Sequence, residues 1–479
     1  MLIAVLLAVL TVSCNKEKSS LSGTGKTEKY KSVNKWILKN MQNYYLWNTE
    51  IPSKTDQSLY PADYFESLLS DKDRFSWIQE NYVELLNSLS GVNTEAGYDF
   101  NLLRMSENSS DVIGYITYIK PGTPAEAAGL SRGNYFHEIN GTQMTTVNYS
   151  ALIKETSKSH TLGVSVMSGN TITGVRNVSL GVIENYPENP ILLDTVYNIS
   201  DKNIGYFVYN FFARDNGDGS VAYEKELNSL FGKFKSEQID ELIVDLRYNG
   251  GGTVITATAL ASMISGQSTN SIFYTEEYNF ALGEALKEYY GANYNKSYFI
   301  NTIDRYNSSG SQVIERIPIN SLSGLSTVYF IVSGSSASAS ELLINGLKPY
   351  MNVVLVGGTT YGKNVASISL YEENDPDNTW GMQPIVMKMS NVTGFSDFGD
   401  GFTPDKTGYE YQAEARPIRQ LGDTEEFLLR MTIDMIFPPQ EEITATTKHS
   451  GYSAIPSFIG SAIDRTPARR NQYITLKEL

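Results

Sequence analysis

Between Val332 and Tyr350 the chain reads VSGSSASASELLINGLKPY, with five serines among the eight residues Ser333 to Ser340 and a helical pattern after them. The preceding STVYFIVS has the apolar, β-branched character of a buried strand, so the serines occupy a strand-to-helix turn. Two roles suit hydroxyls there. One is helix capping, with Ser338 and Glu341 at capping-box spacing. The other is nucleophilic. Small neighbours let one hydroxyl project from a tight turn, and the free N–H groups and positive dipole end of the helix would stabilise an oxyanion. A serine nucleophile needs a base. His137, His160 and His449, the three histidines, adjoin no strand end of this region. Lys363 follows another apolar run in VLVGGTTYGKNVASISL and can serve if burial lowers its pKa toward neutrality. A lysine in a loop is ordinarily a solvated charge, but this one has apolar residues on one side and small ones on the other. The third element is DLRYNGGG, where three glycines after a buried strand let backbone N–H groups approach a ligand. Nucleophile, amine base and backbone donors together would support acyl transfer.

The elements around these residues alternate. NIGYFVYNFF reads as a strand, YEKELNSLFGKFKSE as an amphipathic helix, IDELIVDL as a buried strand, TVITATALASMI as a helix, and NVVLVGG as a strand after the serine-led helix. That order predicts an α/β fold with a mostly parallel sheet. A Tyr- and Asn-rich insertion lies between Ser265 and Leu325. Upstream, VNKWILKNMQNYYLWN, YPADYFESLLS and DRFSWI form a small helical unit whose aromatics read as core, with no chemistry. The divisions expected are 1–14 as a signal, 15–31 as a tether, 32–90 as an N-terminal helical domain, 91–185 as a strand-rich module, 186–437 as the core, and 438–479 as a polar tail without clear periodicity.

Composition narrows the partners. A net charge of −15 over 479 residues argues against nucleic acid, whose phosphates call for clustered Lys and Arg. Cys14 is the single cysteine, which excludes a disulfide framework and a Cys-based zinc site. It ends MLIAVLLAVLTVSC, an apolar run too short to span a bilayer, followed by the polar NKEKSS. This resembles a bacterial lipoprotein signal with TVSC as the lipobox, although no Lys or Arg precedes the apolar run. The resemblance implies cleavage before Cys14 and its lipidation, hence a lipid-anchored place in the bacterial cell envelope, periplasmic or on the outer-membrane surface.

Two further resemblances follow. From "DVIGYITYIKPGTPAEAAGLSRGNYFHEING", Pro121, Gly122, Pro124, Ala125, Ala128, Gly129, Leu130, Gly133, Ile139, Asn140 and Gly141 match the pattern of a bacterial-protease PDZ domain, with Asn134 where Asp is usual. There the loop and strand Gly97, Tyr98, Asp99 and Phe100 would receive a peptide C-terminus. The segment Ser336–Glu341, SASASE, with Lys363 standing 25 residues after Ser338, and LRYNGG with Arg247, Asn249, Gly251 and Gly252, resemble the C-terminal processing peptidases, also called tail-specific proteases. The helical unit resembles that of the lipoprotein branch in Bacteroides-like bacteria. The family implies a crotonase-like (ClpP/crotonase) core preceded or interrupted by a PDZ domain. It implies Ser338 as nucleophile, Lys363 as general base, and an oxyanion hole from the Ala339 N–H and one N–H among Gly250 to Gly252, with Gly251 preferred. It implies protein or peptide substrates with accessible C-termini and no metal or other cofactor. Many members carry a Gln four residues after the lysine; here Ser367 stands there and is the expected substitute. Two other functions fit parts of the pattern: a catalytically inactive peptide- or glycan-binding surface lipoprotein, and a crotonase-like enzyme of acyl thioesters, which an envelope location disfavours.

Overall fold

The computed structural model describes residues 23–104, 106, 108–168, 171–412, 417–438, 457–462 and 472–474. Cys14 and the signal segment lie outside the described residues. The first helix, α1, spans Gly23–Tyr44, so residues 23–31, read from composition as part of a tether, are its opening turns. Glu28 and Lys31 pair across one turn at 2.8 Å, and Tyr30 packs edge-on against Tyr60. The apolar stripe of Val33, Ile37, Met41 and Tyr45 is buried, as its spacing predicts. Helices α2 (Pro61–Glu66) and α3 (Tyr82–Leu89) complete the N-terminal unit.

A separate antiparallel sheet follows. Its strands β1 (Tyr98–Arg104), β2 (Val112–Ile119), β3 (Tyr135–Ile139), β4 (His160–Ser168) and β5 (Thr171–Leu180) close over a core of Phe100, Ile116, Phe136 and Leu162.

The remainder is mixed α/β, as the alternation predicts. Strands β6 (Ile191–Ile199), β7 (Lys202–Tyr209), β8 (Glu241–Asp245), β9 (Gly252–Thr253) and β10 (Ile272–Tyr278) precede β11 (Lys296–Tyr298), β12 (Thr327–Val332) and β13 (Asn352–Gly357). Then come β14 (Val365–Ile368), β15 (Ile385–Ser390) and β16 (Lys406–Thr407). One six-stranded sheet runs β6-β7-β8-β12-β13-β16, parallel throughout except for the β6–β7 hairpin. Helices α4 (Ala222–Ser236), α5 (Val254–Ser265) and α6 (Ala339–Leu347) join its parallel strands and bury one face; α7 (Phe427–Ile436) covers the other.

The C-terminal segment, which shows no periodicity in the sequence, contributes two short strands to distant sheets. β17 (Ser457–Ser461) joins the edge of the small sheet beside β1. β18 (Gln472–Ile474) joins a second six-stranded sheet of order β9-β18-β14-β15-β10-β11.

Candidate active site

The C-terminal ends of β8 and β12 lie side by side, with Leu242 to Asp245 in register with Val328 to Ile331. The turns leaving them therefore meet. One carries the glycines, the other the serines, and their hydroxyls are not equivalent. Ser336 Oγ donates to the Leu246 carbonyl at 2.7 Å, Ser340 Oγ to the Asn249 carbonyl at 3.1 Å, and Ser333 Oγ to the Arg247 carbonyl. The Ala337 N–H also reaches the Asn249 carbonyl, at 3.1 Å. Three serines thus fasten the two turns together. Ser338 differs. Its side chain is fully buried, yet its Oγ has no hydrogen-bond partner. Such an orphan costs about 1–3 kcal/mol and calls for an explanation.

Ser338 also sits at φ 65° and ψ −114° as the residue before α6, a backbone state costing on the order of 1–3 kcal/mol for a residue with a Cβ. Ala337 and Ala339, both buried, leave room for it. Ser338 and Glu341 have the capping-box arrangement, but of its two bonds only the one from the Ser338 N–H to Glu341 Oε2 closes, at 2.9 Å. The capping role is therefore carried by the glutamate, and the hydroxyl is released from it.

The same carboxylate holds the lysine turn. Glu341 Oε2 accepts the Lys363 N–H at 2.8 Å, while Oε1 accepts the Gly362 N–H at 2.7 Å and the Thr360 hydroxyl at 2.6 Å. One oxygen therefore bonds the backbone nitrogens of both Ser338 and Lys363. Burial pushes the Glu341 carboxyl up, against the four donors that favour its ionised form. Gly362, at φ +89°, allows the turn: a Cβ there would stand 2.1 Å from the Gly399 carbonyl oxygen.

Lys363 is fully buried, and its amine is lowered to about 7. Desolvation lowers it; the charges of Asp73 and Glu341 oppose the shift. Nζ lies 5.2 Å from the centre of the Phe75 ring. Asp73 and Phe75 belong to the DRFSWI segment read above as core without chemistry, so the N-terminal unit walls the lysine. Asp73 is fixed by the Tyr45 hydroxyl at 2.8 Å and by the Phe75 and Ser76 N–H groups at 2.8 and 2.9 Å. Its sequence carries no local sign of this role.

Of the proposed oxyanion donors, Ala339 opens α6, and no acceptor is found for its N–H among the described residues. The preferred glycine fares otherwise. The Gly251 N–H is donated to Asn249 Oδ1 at 2.9 Å, because the Asn249 side chain folds over the turn while its Nδ2 anchors to the Tyr209 carbonyl at 2.9 Å. Gly251 is therefore a committed donor. The N–H of Gly250, one residue earlier, has no acceptor among the described residues. Ser367 is buried on β14 and donates to Gln383 Oε1 at 2.6 Å. A glutamine thus comes back to this neighbourhood from a following strand, which the local sequence pattern does not show.

The residues expected to receive a peptide lie on the small sheet. Gly97, at φ +97°, precedes β1. Tyr98 and Phe100 are buried in that sheet's core, the Tyr98 hydroxyl 2.8 Å from His160 Nε2. Asp99 accepts the Tyr118 hydroxyl and lies 3.8 Å from Lys120 Nζ. Their side chains are engaged within the small sheet, so they offer an incoming strand no side-chain contact.

Residues 203–406 match Peptidase family S41, and residues 32–77 match the Peptidase S41 N-terminal domain. The first span holds the glycine, serine and lysine turns; the second holds Asp73 and Phe75. A carboxyl-terminal-processing protease of Picosynechococcus is 27% identical over 377 residues, 77% of this chain and 78% of its own length. The carboxy-terminal processing protease CtpA of Bacillus subtilis is 24% identical over 272 residues, 56% of this chain and about half, 48%, of its own. A solved structure assigned to the S41 proteases, from Bacteroides fragilis, superposes with a TM-score of 0.65 at 26% identity, over 85% of this chain and 98% of its own.

Proposed function

The chain belongs to peptidase family S41, and on that premise we propose that it is a serine endopeptidase with a Ser338–Lys363 dyad, acting on polypeptides with accessible C-terminal tails. One observation carries the reading: a buried, unpaired hydroxyl on a strained turn shares a carboxylate anchor with a buried lysine whose amine is held near neutrality. Structural roles explain each part poorly. A capping serine would use its hydroxyl, and a structural lysine would keep its ordinary pKa.

In the reaction, neutral Lys363 Nζ takes the Ser338 proton as Oγ attacks the scissile carbonyl. The oxyanion is held by the Ala339 and Gly250 N–H groups at the positive end of α6. Lys363 then protonates the leaving amine, and water releases the acyl group. Ser338 Oγ is unbonded at rest, so the Ser–Lys contact forms as substrate enters. The small sheet acts as a PDZ-like docking module, with the β1 edge receiving the tail. The lipobox-like TVSC at Cys14 supports a lipid-anchored place in a bacterial envelope; among the described residues no helix is long and apolar enough to cross a membrane.

Unstructured peptides differing in their C-terminal residues, incubated with the chain and read by mass spectrometry, test this. Cleavage is expected from wild type and none above background from Ser338→Ala, a loss of more than about 10³-fold. A serine-reactive fluorophosphonate should label wild type only. Equal cleavage by both chains overturns the assignment.

A further inference from the structure

The Tyr- and Asn-rich insertion between Ser265 and Leu325 has no part in the chemistry above, yet it builds most of a cavity of about 340 Å³. Alternate residues of a strand share a face, and on β10 Tyr274, Glu276 and Tyr278 line the cavity together. Tyr298 enters from β11, Tyr290 from the helix Phe280–Tyr290, and Tyr294 from the turn between them. The rings of Tyr278 and Tyr294 are 6.4 Å apart, centre to centre. Phenol rings thus surround a carboxyl group. The negative faces of aromatic rings and a carboxylate together favour a cation.

The protein supplies no such cation from its own wall. Glu276 Oε2 accepts the Tyr278 hydroxyl at 2.8 Å, and among the described residues Glu276 forms no ion pair. Lys296 is the one basic residue among those lining the cavity; it is exposed, and its Nζ donates to Asn293 Oδ1 at 2.9 Å. Burial pushes the Glu276 carboxyl up to about 7, although the Tyr278 and Tyr274 hydroxyls favour its charged form. A cation brought to such a carboxylate offsets its desolvation.

The cavity also lies close to the proposed reaction centre. Val254, Ile255 and Thr258 of α5 line it too. Val254 stands four residues after Gly250, so the two Cα atoms are at most about 14 Å apart. Ile255 also lines a larger cavity, of about 950 Å³, that reaches Thr253 at the end of β9. The two cavities adjoin on the helix that leaves the glycine turn, a few extended residues from it.

We propose that the smaller cavity is a specificity subsite for a lysine or arginine side chain of a bound polypeptide, and that Glu276 is the residue that selects it. The aliphatic stem lies along the tyrosine rings and the charged head meets the carboxylate. An uncharged side chain of equal length meets the rings without the carboxylate. The proposal rests on the peptidase reading only in calling the polypeptide a substrate.

Binding is tested first, without turnover. Fluorescein-labelled unstructured peptides carrying one Lys, Arg or norleucine, moved through successive positions, are titrated into full-length Ser338→Ala protein and into the same protein with Glu276→Gln. At the best position Lys and Arg should bind about tenfold tighter than norleucine, and Glu276→Gln should abolish the difference. Equal binding of all three by the Ser338→Ala protein, which needs no change at Glu276, overturns the proposal; so does a preference that survives Glu276→Gln. With Ser338 intact, Glu276→Gln should lower kcat/KM on Lys and Arg peptides about tenfold more than on norleucine peptides. An equal loss on all three overturns the assignment of Glu276 to specificity. Selective binding with no cleavage of any peptide sustains the subsite and removes the peptidase reading instead.

Discussion

On one side of the glycine turn, Arg247 donates to Asp245 through Nε and Nη2 at 2.9 and 2.8 Å and to Glu426 through Nη1 and Nη2 at 2.7 and 2.9 Å. Arg132, from the small sheet, reaches Glu410 at 2.7 Å, and Tyr248 bonds both Arg132 and Glu410. Every charge there faces an opposite one, and Arg132 and Arg247 overcome burial to hold the Glu410 carboxyl at about 2. On the other side, Ser338 and Lys363 are as deeply buried, but the hydroxyl is unpaired and the amine gives up its charge near neutrality. The first cluster is a latch between the small sheet and the core. The second, on the proposed dyad, keeps its groups ready to react at a cost in stability. Burial alone does not tell the two apart; the bonding of the Ser338 hydroxyl and the direction of the amine's shift do.

The sharpest break of this contrast is Lys363→Met. Cleavage should fall by roughly 10³-fold or more as the general base is lost. Stability should rise. The amine's pKa falls from 10.5 unfolded to about 7 folded, so between those values the unfolded chain binds more protons. The penalty is complete below about pH 7 and vanishes above about 10.5, worth on the order of 5 kcal/mol at roughly 1.4 kcal/mol per pH unit. Thermal melts at pH 7 and pH 10 should show wild type gaining stability over that range and Lys363→Met holding level. A variant melting below wild type at pH 7 contradicts the desolvation account.

Arg247→Met probes the latch and should act in the opposite direction. It leaves Asp245 and Glu426 buried without their cation, and removing one partner of such a group costs about 3–5 kcal/mol. Denaturant titration should register the loss. An unchanged midpoint would mean that the network is solvated and does not join the modules.

The contrast also shows which parts of the molecule a linear reading can reach. The serine, glycine and lysine turns are legible because each is local: small residues at a strand end have few other uses. The alternating elements of the core are legible for the same reason. The identity of Ser338 among five serines depends on which carbonyls its neighbours find across the turn from β8, and that is a tertiary matter. Asp73 and Phe75 act on a lysine 288 or more positions away, and DRFSWI has the same composition whether it walls a site or fills a core. The motif points to Gly251 as a donor, and only the fold shows that its N–H bonds the Asn249 side chain. Strands β17 and β18 escape any periodicity argument, since two short ladders take their register from edges already present.

The amine's titration should appear in catalysis as well. Only neutral Lys363 can accept the Ser338 proton, so kcat/KM should rise with pH and level off above about 7, with close to a tenfold loss per unit on the acid side. A profile flat from pH 5 to 8 would assign the base elsewhere. Because Glu410 and Glu426 are held below the usual carboxylate range, Arg132→Met should leave the midpoint of the profile in place even as it weakens the fold.

The smallest expected effect concerns the residue that stands where relatives place a glutamine. Ser367 is too short to reach far, but its hydroxyl is spent on Gln383 Oε1, and Gln383 Nε2 in turn donates to Ser369. The pair restores an amide to the strand that leaves Lys363, supplied from a neighbouring segment. Gln383→Leu keeps the volume and removes the acceptor of the bond from the buried Ser367 hydroxyl, at a cost of about 1–3 kcal/mol. If the pair only stabilises β14, melting should fall while kcat and its pH midpoint stay fixed. If it positions the lysine strand, kcat should drop several-fold with KM little changed, and the midpoint near 7 should move. We expect the second result, because Ser367 lies on β14, which begins two residues after Lys363, so a shift of that strand is passed to the lysine turn.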